Sequence, residues 1–79
     1  MRHAREDYKR FQDPEEKIPE DEPVFLIRAQ DAVGPEAVKA YAEILERRFP
    51  GSQVASLADE WADEMAEWQE EHGSKEPDL

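Results

Sequence analysis

Apolar residues recur at helical spacing between residues 35 and 48. They form one stripe on a helix surface: Val38, Tyr41, Ala42 and Leu45, with Ile44 beside it. Pro35 occupies the first helical position, where its missing N–H is not needed. Pro50 and Gly51 then stop the pattern. The sequence therefore predicts a helix over 35–48.

A second and longer helical pattern follows over 53–72. Ser52 is placed to cap its start and Gly73 to end it. Its apolar positions share one face: Val54, Leu57, Ala58, Trp61, Met65 and Trp68. Because the connection between the two helices is short, we expect an antiparallel hairpin with this face packed on the first helix.

Residues 24–29 are apolar and rich in residue types that favour strands. They fit a short buried strand, an extended core-filling segment or a helical turn. A lone strand leaves backbone groups unpaired. As a strand, this segment therefore needs a short neighbour, its copy in a dimer or a partner protein.

The remaining segments surround this core. Residues 1–12 can form a short helical arm, whereas the prolines in 13–23 predict an extended connector. At this length the chain is one small domain, 1–79. It divides into the arm and connector 1–23, a core 24–73 and a tail 74–79. The predicted fold is mainly α, a helical hairpin with an extended segment.

Composition narrows the functional classes. The chain has no cysteine, which excludes disulfides and thiolate chemistry and favours a cytoplasmic location. The longest apolar run, 24–27, is far below the roughly 20 residues of a membrane span. A net charge of −11 argues against direct nucleic-acid binding, which requires a basic face. Residues 51–79 hold nine acids and one base, Lys75.

Most of those acids lie on the second helix. They form two neighbouring edges: Asp59, Asp63 and Glu70 on one, and Glu60, Glu64, Glu67 and Glu71 on the other. Acids four residues apart are about 6 Å apart along the axis, which is comparable to the phosphate spacing of a nucleic-acid strand. The simpler interpretation is a solvated face that keeps the protein soluble. The functional interpretation is a surface that imitates a nucleic acid and so acts as a decoy for a basic nucleic-acid-binding protein.

The sequence gives little indication of a catalytic site or a metal site. His3 and His72 are isolated, and no spacing typical of metal ligands occurs, so no metal or cofactor is expected. No nucleophile motif or phosphate-binding loop is present. We expect a protein that is not an enzyme.

The aromatic residues are numerous for so small a core. Trp61 and Trp68 share a helical face and are expected to pack inside. Because so small a core has difficulty burying every aromatic side chain, some of four residues are instead candidates for exposed anchors of a protein interface: Tyr8, Phe11, Phe25 and Trp68.

The segment 18–31 reads IPEDEPVFLIRAQD. It resembles a signature that a group of small bacterial and phage or prophage proteins carries, of the type IPEDEPVFLLRAQD. The start of the chain and the region around Trp68 are also similar. The resemblance implies a small stand-alone protein from a mobile element and brings no catalytic residue with it.

Two functional hypotheses remain. In the first, the chain inhibits a basic nucleic-acid-handling protein of a host through the acidic helix. In the second, it is a structural or interaction protein that forms a homodimer, and the acidic face only maintains solubility.

Overall fold

A computed structural model describes residues 1–4, 13 and 15–77. Four elements follow one another: β1 (Arg2–His3), β2 (Pro23–Val24), α1 (Gly34–Arg48) and α2 (Gln53–His72). The two helices pack against each other, which confirms the predicted mainly-α hairpin. Tyr8 and Phe11, two of the predicted anchors, lie outside the described residues.

Local signals set the ends of both helices. Ser52 Oγ accepts a hydrogen bond from Ala55 N at 3.2 Å, so it caps α2 as predicted. Gly73 ends α2 with a φ of 85°, a conformation that glycine adopts without steric cost. Between the helices, the Glu46 carboxylate accepts a hydrogen bond from Gly51 N at 3.1 Å. This contact ties the connecting turn to α1.

The interior of the hairpin is built from small side chains. Its buried apolar residues are Ala42 on α1 and Ala55, Ala62 and Met65 on α2. Small residues allow two helices to approach closely, but they bury little apolar area. The expected packing of the whole apolar face of α2 is therefore wrong in part. Met65 is buried, whereas Leu57 and Trp61 remain more than half exposed.

The extended segment forms a strand over a shorter range than predicted. β2 pairs in parallel with β1, in the register Arg2 with Pro23 and His3 with Val24. A short neighbour, a second copy and a partner protein were the three expected ways to pair this strand. The chain uses the first of them, a short strand from its own N-terminal region. Beyond Val24 the chain leaves the sheet and crosses towards the start of α1.

Side-chain and backbone bonds fasten that crossing segment to α2. The Gln69 amide donates to Ala29 O at 2.8 Å and to Asp31 O at 2.6 Å. Lys75 exchanges two backbone hydrogen bonds with the same loop, one with Gln30 and one with Ala32, each of 2.9 Å. The tail after Gly73 thus runs back along the loop that begins α1.

Candidate interaction surface

The two acidic edges of α2 differ in their electrostatic environment. Lys39 on α1 lies between two carboxylates, with its Nζ 2.9 Å from Asp59 Oδ1 and 3.1 Å from Asp63 Oδ1. Hydrogen bonds to Asp59 and then to Asp63 raise the pKa of Lys39 above its ordinary value of 10.5. This edge is therefore partly neutralised and serves the packing of the hairpin.

Among the residues that the structure describes, the other edge has no such counterion. Within residues 1–4, 13 and 15–77, no ion pair involves Glu60, Glu64, Glu67 or Glu71. All four side chains are exposed, and so is Glu70. Like charges four residues apart destabilise a helix slightly. We call these four residues the glutamate row, since they form an unneutralised negative line along the outside of α2.

An apolar groove lies between the two helices on the surface. It has a volume of about 370 Å³. Six residues line it: Val38 and Tyr41 from α1, and Val54, Leu57, Ala58 and Trp61 from α2. Trp61 is 57% exposed and Leu57 is 56% exposed, although both are large apolar side chains. Contiguous exposure of this kind typically marks an interaction surface.

The groove and the glutamate row are neighbours on α2. Glu60 follows Leu57 by three residues, and Glu64 follows Trp61 by three, so each pair is adjacent on the helix surface. A ligand in the groove therefore meets apolar side chains at its centre and carboxylates along one side. That arrangement matches the apolar centre and polar rim of protein interfaces.

The predicted aromatic anchors are dispersed. Phe25 is 71% exposed and lies beside Arg2 and His3, in a separate recess. Trp68 is 39% exposed, and its ring stacks on His72 with the centroids 4.3 Å apart. Neither residue lines the groove. These two predicted anchors therefore lie outside the groove.

Sequence reasoning placed the residues of the groove in the core. The sequence of α2 does carry a signal against that placement. Ala55, Ala62 and Met65 form a second apolar stripe beside the stripe of Leu57 and Trp61. At 3.6 residues per turn, the two stripes together span an arc of about 160°. One neighbouring helix covers only part of so wide an arc.

The opposite side of the hairpin has a smaller recess of about 280 Å³ with three acids. Two of them already have partners, since Glu46 accepts from Gly51 N and Asp59 pairs with Lys39. In the part of the chain that the structure describes, no three histidine or acidic side chains come together as metal ligands. Nor is any helix there long and apolar enough to cross a membrane.

Comparisons with protein-family models, with curated proteins and with solved structures gave no match to this chain. The assignment of function therefore depends on the chain's own surfaces.

Proposed function

We propose that this chain is a non-catalytic acidic protein that binds a basic surface of a protein partner through the glutamate row of α2. The partner class that fits is a nucleic-acid-handling protein, whose basic site the row would occupy in place of phosphates. The observation that carries the proposal is the difference between the two acidic edges. Lys39 neutralises one edge, whereas the other has no counterion among the described residues.

The charge distribution supports an electrostatic mode of binding. The net charge is −11, and most of it comes from residues 51–79. Such a field accelerates encounter with a basic partner and is screened over about 8 Å at physiological salt. Carboxylates about 6 Å apart along the helix can each meet a separate lysine or arginine. We place this activity in the cytoplasm, in line with the cysteine-free sequence and with the mobile-element origin that the resemblance implies.

The test compares three forms of the chain as immobilised baits in bacterial lysate. One is unaltered, and the second carries Glu→Lys at Glu60, Glu64, Glu67 and Glu71. The third is a matched control with the same change of charge at Glu20, Asp21, Glu22 and Glu43, which lie outside α2. Captured proteins are identified by mass spectrometry after washes at low and high salt.

The proposal expects a nucleic-acid-handling protein that the unaltered chain and the control retain at low salt and release at high salt. The row variant should lose it, and added DNA or RNA should compete with the chain for it. Equal capture by the row variant, or capture unaffected by salt and nucleic acid, would overturn the proposal.

Self-association is the second candidate, and the exposed groove favours it. Two chains could bury Leu57 and Trp61 against each other. Each copy carries a charge of −11, so repulsion opposes the dimer at low salt and its affinity should rise as salt screens the charges. Sedimentation equilibrium at low and high salt separates the candidates. A dimer that tightens with salt supports self-association, and a monomer throughout excludes it.

A further inference from the structure

We infer that the apolar groove between α1 and α2 is a docking site for a basic amphipathic helix of the partner protein. The inference rests on the proposed function and adds the structural element that the partner contributes. The guest helix would lie along α2, with its apolar side chains over Leu57 and Trp61 and its lysines or arginines facing Glu60 and Glu64.

In the part of the chain that the structure describes, the packing of the hairpin leaves its large apolar side chains uncovered. Its interior contains three alanines and one methionine, while Tyr41, Leu57 and Trp61 lie outside it. A third helix in the groove would convert the pair into a three-helix arrangement in which these large side chains are covered. Aromatic residues that become buried in this way are the usual anchors of an interface.

The walls of the groove determine the guest's secondary structure. Both walls are helices, whose backbone groups are already hydrogen-bonded within α1 and α2. They offer no free edge to which an extended peptide could add as a strand. An extended guest would have to leave its backbone to water, whereas a helix satisfies its own backbone, so the helical walls favour a helical guest. From Val54 to Trp61 the groove extends about 10 Å along α2, which accommodates two turns of a guest helix.

The charge beside the groove determines the guest's chemistry. Glu60 and Glu64 lie next to the groove, one turn from Leu57 and Trp61 on α2, and have no ion-pair partner among the residues described. A helix with lysine or arginine on that side gains attraction, while an acidic helix is repelled. A second copy of this chain would bring a further charge of −11 and is disfavoured for the same reason.

Designed peptides test the inference with defined probes. The first is a helix of about five turns with leucine at positions i, i+3, i+4 and i+7 and lysine elsewhere. The second has the same composition in scrambled order. The third has glutamate in place of lysine. Binding is followed by calorimetry and by the emission of Trp61 in a Trp68→Phe background, in which it is the only indole.

We expect the patterned basic peptide to bind at least about tenfold more tightly than its scrambled isomer, a clear energetic difference, and to shift Trp61 emission to the blue. Leu57→Gln and Trp61→Gln should each abolish that preference. Both side chains are more than half exposed, so the variants should remain folded by circular dichroism. Phe25→Gln is the matched control, because it changes an exposed aromatic outside the groove and should leave the affinity unchanged.

Two results separate the groove from the glutamate row. If both basic peptides bind equally and the four Glu→Lys changes abolish their binding, the charged surface acts alone and the groove inference fails. If the patterned peptide binds unaltered after those four changes, the groove is a docking site but the proposed role of the row fails. The inference also fails if the acidic peptide binds as well as the basic one, or if Trp61→Gln only dissociates a homodimer.

Discussion

Gly34 lies where the crossing segment closely approaches the start of α1. A Cβ built there would stand 2.7 Å from Arg28 O, 3.2 Å from Ile27 Cγ2 and 3.3 Å from Met65 Cε. Real Cβ atoms essentially never approach another heavy atom as closely as the first of these distances. The Gly34→Ala substitution therefore forces the backbone at Arg28 away from the start of α1.

The surrounding bonds make that displacement costly. The loop after Arg28 is held by Gln69 and by the backbone of Lys75 on one side and by α1 on the other. Overpacking of this kind costs about 1–3 kcal/mol. Because alanine favours a helix by up to about 1 kcal/mol relative to glycine, the net loss should be at the lower end. With about 4–8 °C per kcal/mol for a domain of this size, the melting temperature should fall by several degrees.

The assay is thermal unfolding followed by far-ultraviolet circular dichroism. Gly51→Ala is the control, since its Cβ meets nothing within 4 Å and only its φ of +83° opposes the substitution. That strain costs about 1–2 kcal/mol. Gly51→Ala therefore measures backbone strain without a steric contact, whereas Gly34→Ala measures a steric contact without a positive φ. A Gly34→Ala protein as stable as the unaltered chain would refute the close approach and with it the described path of residues 28–34.

Three further predictions concern contacts within the hairpin. Lys39→Met should lower the free energy of unfolding at neutral pH. Because the pKa of Lys39 is raised, this difference between the unaltered chain and the variant should persist below about pH 10.5 and shrink above it. A difference in urea unfolding that is undiminished near pH 12 would contradict the Lys39 contacts. Ser52→Ala should lower the free energy of unfolding in urea by about 1 kcal/mol, because it removes the cap of α2. Ser56→Ala, at an exposed helical position, is the control and should cost nothing. Equal losses of stability in the two variants would exclude a capping role for Ser52. Gln69→Glu should cost about 1–3 kcal/mol at neutral pH because a carboxylate cannot donate to Ala29 O and Asp31 O. Gln53→Glu is the control in the same unfolding assay, and it should lose no stability because the start of α2 favours a carboxylate.

Helix positions were predictable because their signals are local. Pro35, Ser52 and Gly73 act within one or two residues of the ends that they mark, and the predicted ranges 35–48 and 53–72 agree with α1 and α2 to within one residue. The pairing of β1 with β2 joins residues about twenty positions apart and has no local signal. The contact of Lys75 with Asp31 in the loop before α1 is about twice as remote in sequence and has no local signal either.

The orientation of α2 about its axis was the main feature that sequence could not determine. Hydrophobicity gives Trp61 and Leu57 more weight than alanine, and so it places them inside. In the structure α1 instead packs on the alanine stripe, where the two helices can approach most closely. Periodicity identifies an apolar arc but does not state which part of it faces the neighbour, because that choice depends on the shape of the partner.

The same orientation links the two candidate surfaces. With Ala55 and Ala62 turned towards α1, the Lys39 side of α2 is occupied by an internal ion pair, and the remaining circumference holds the glutamate row and the exposed apolar side chains. Here Glu60 and Glu64 adjoin Leu57 and Trp61 directly. In the complex that we propose, one partner helix would meet the apolar groove and the glutamate row at once, so that attraction by the row favours encounter and burial of Trp61 favours retention.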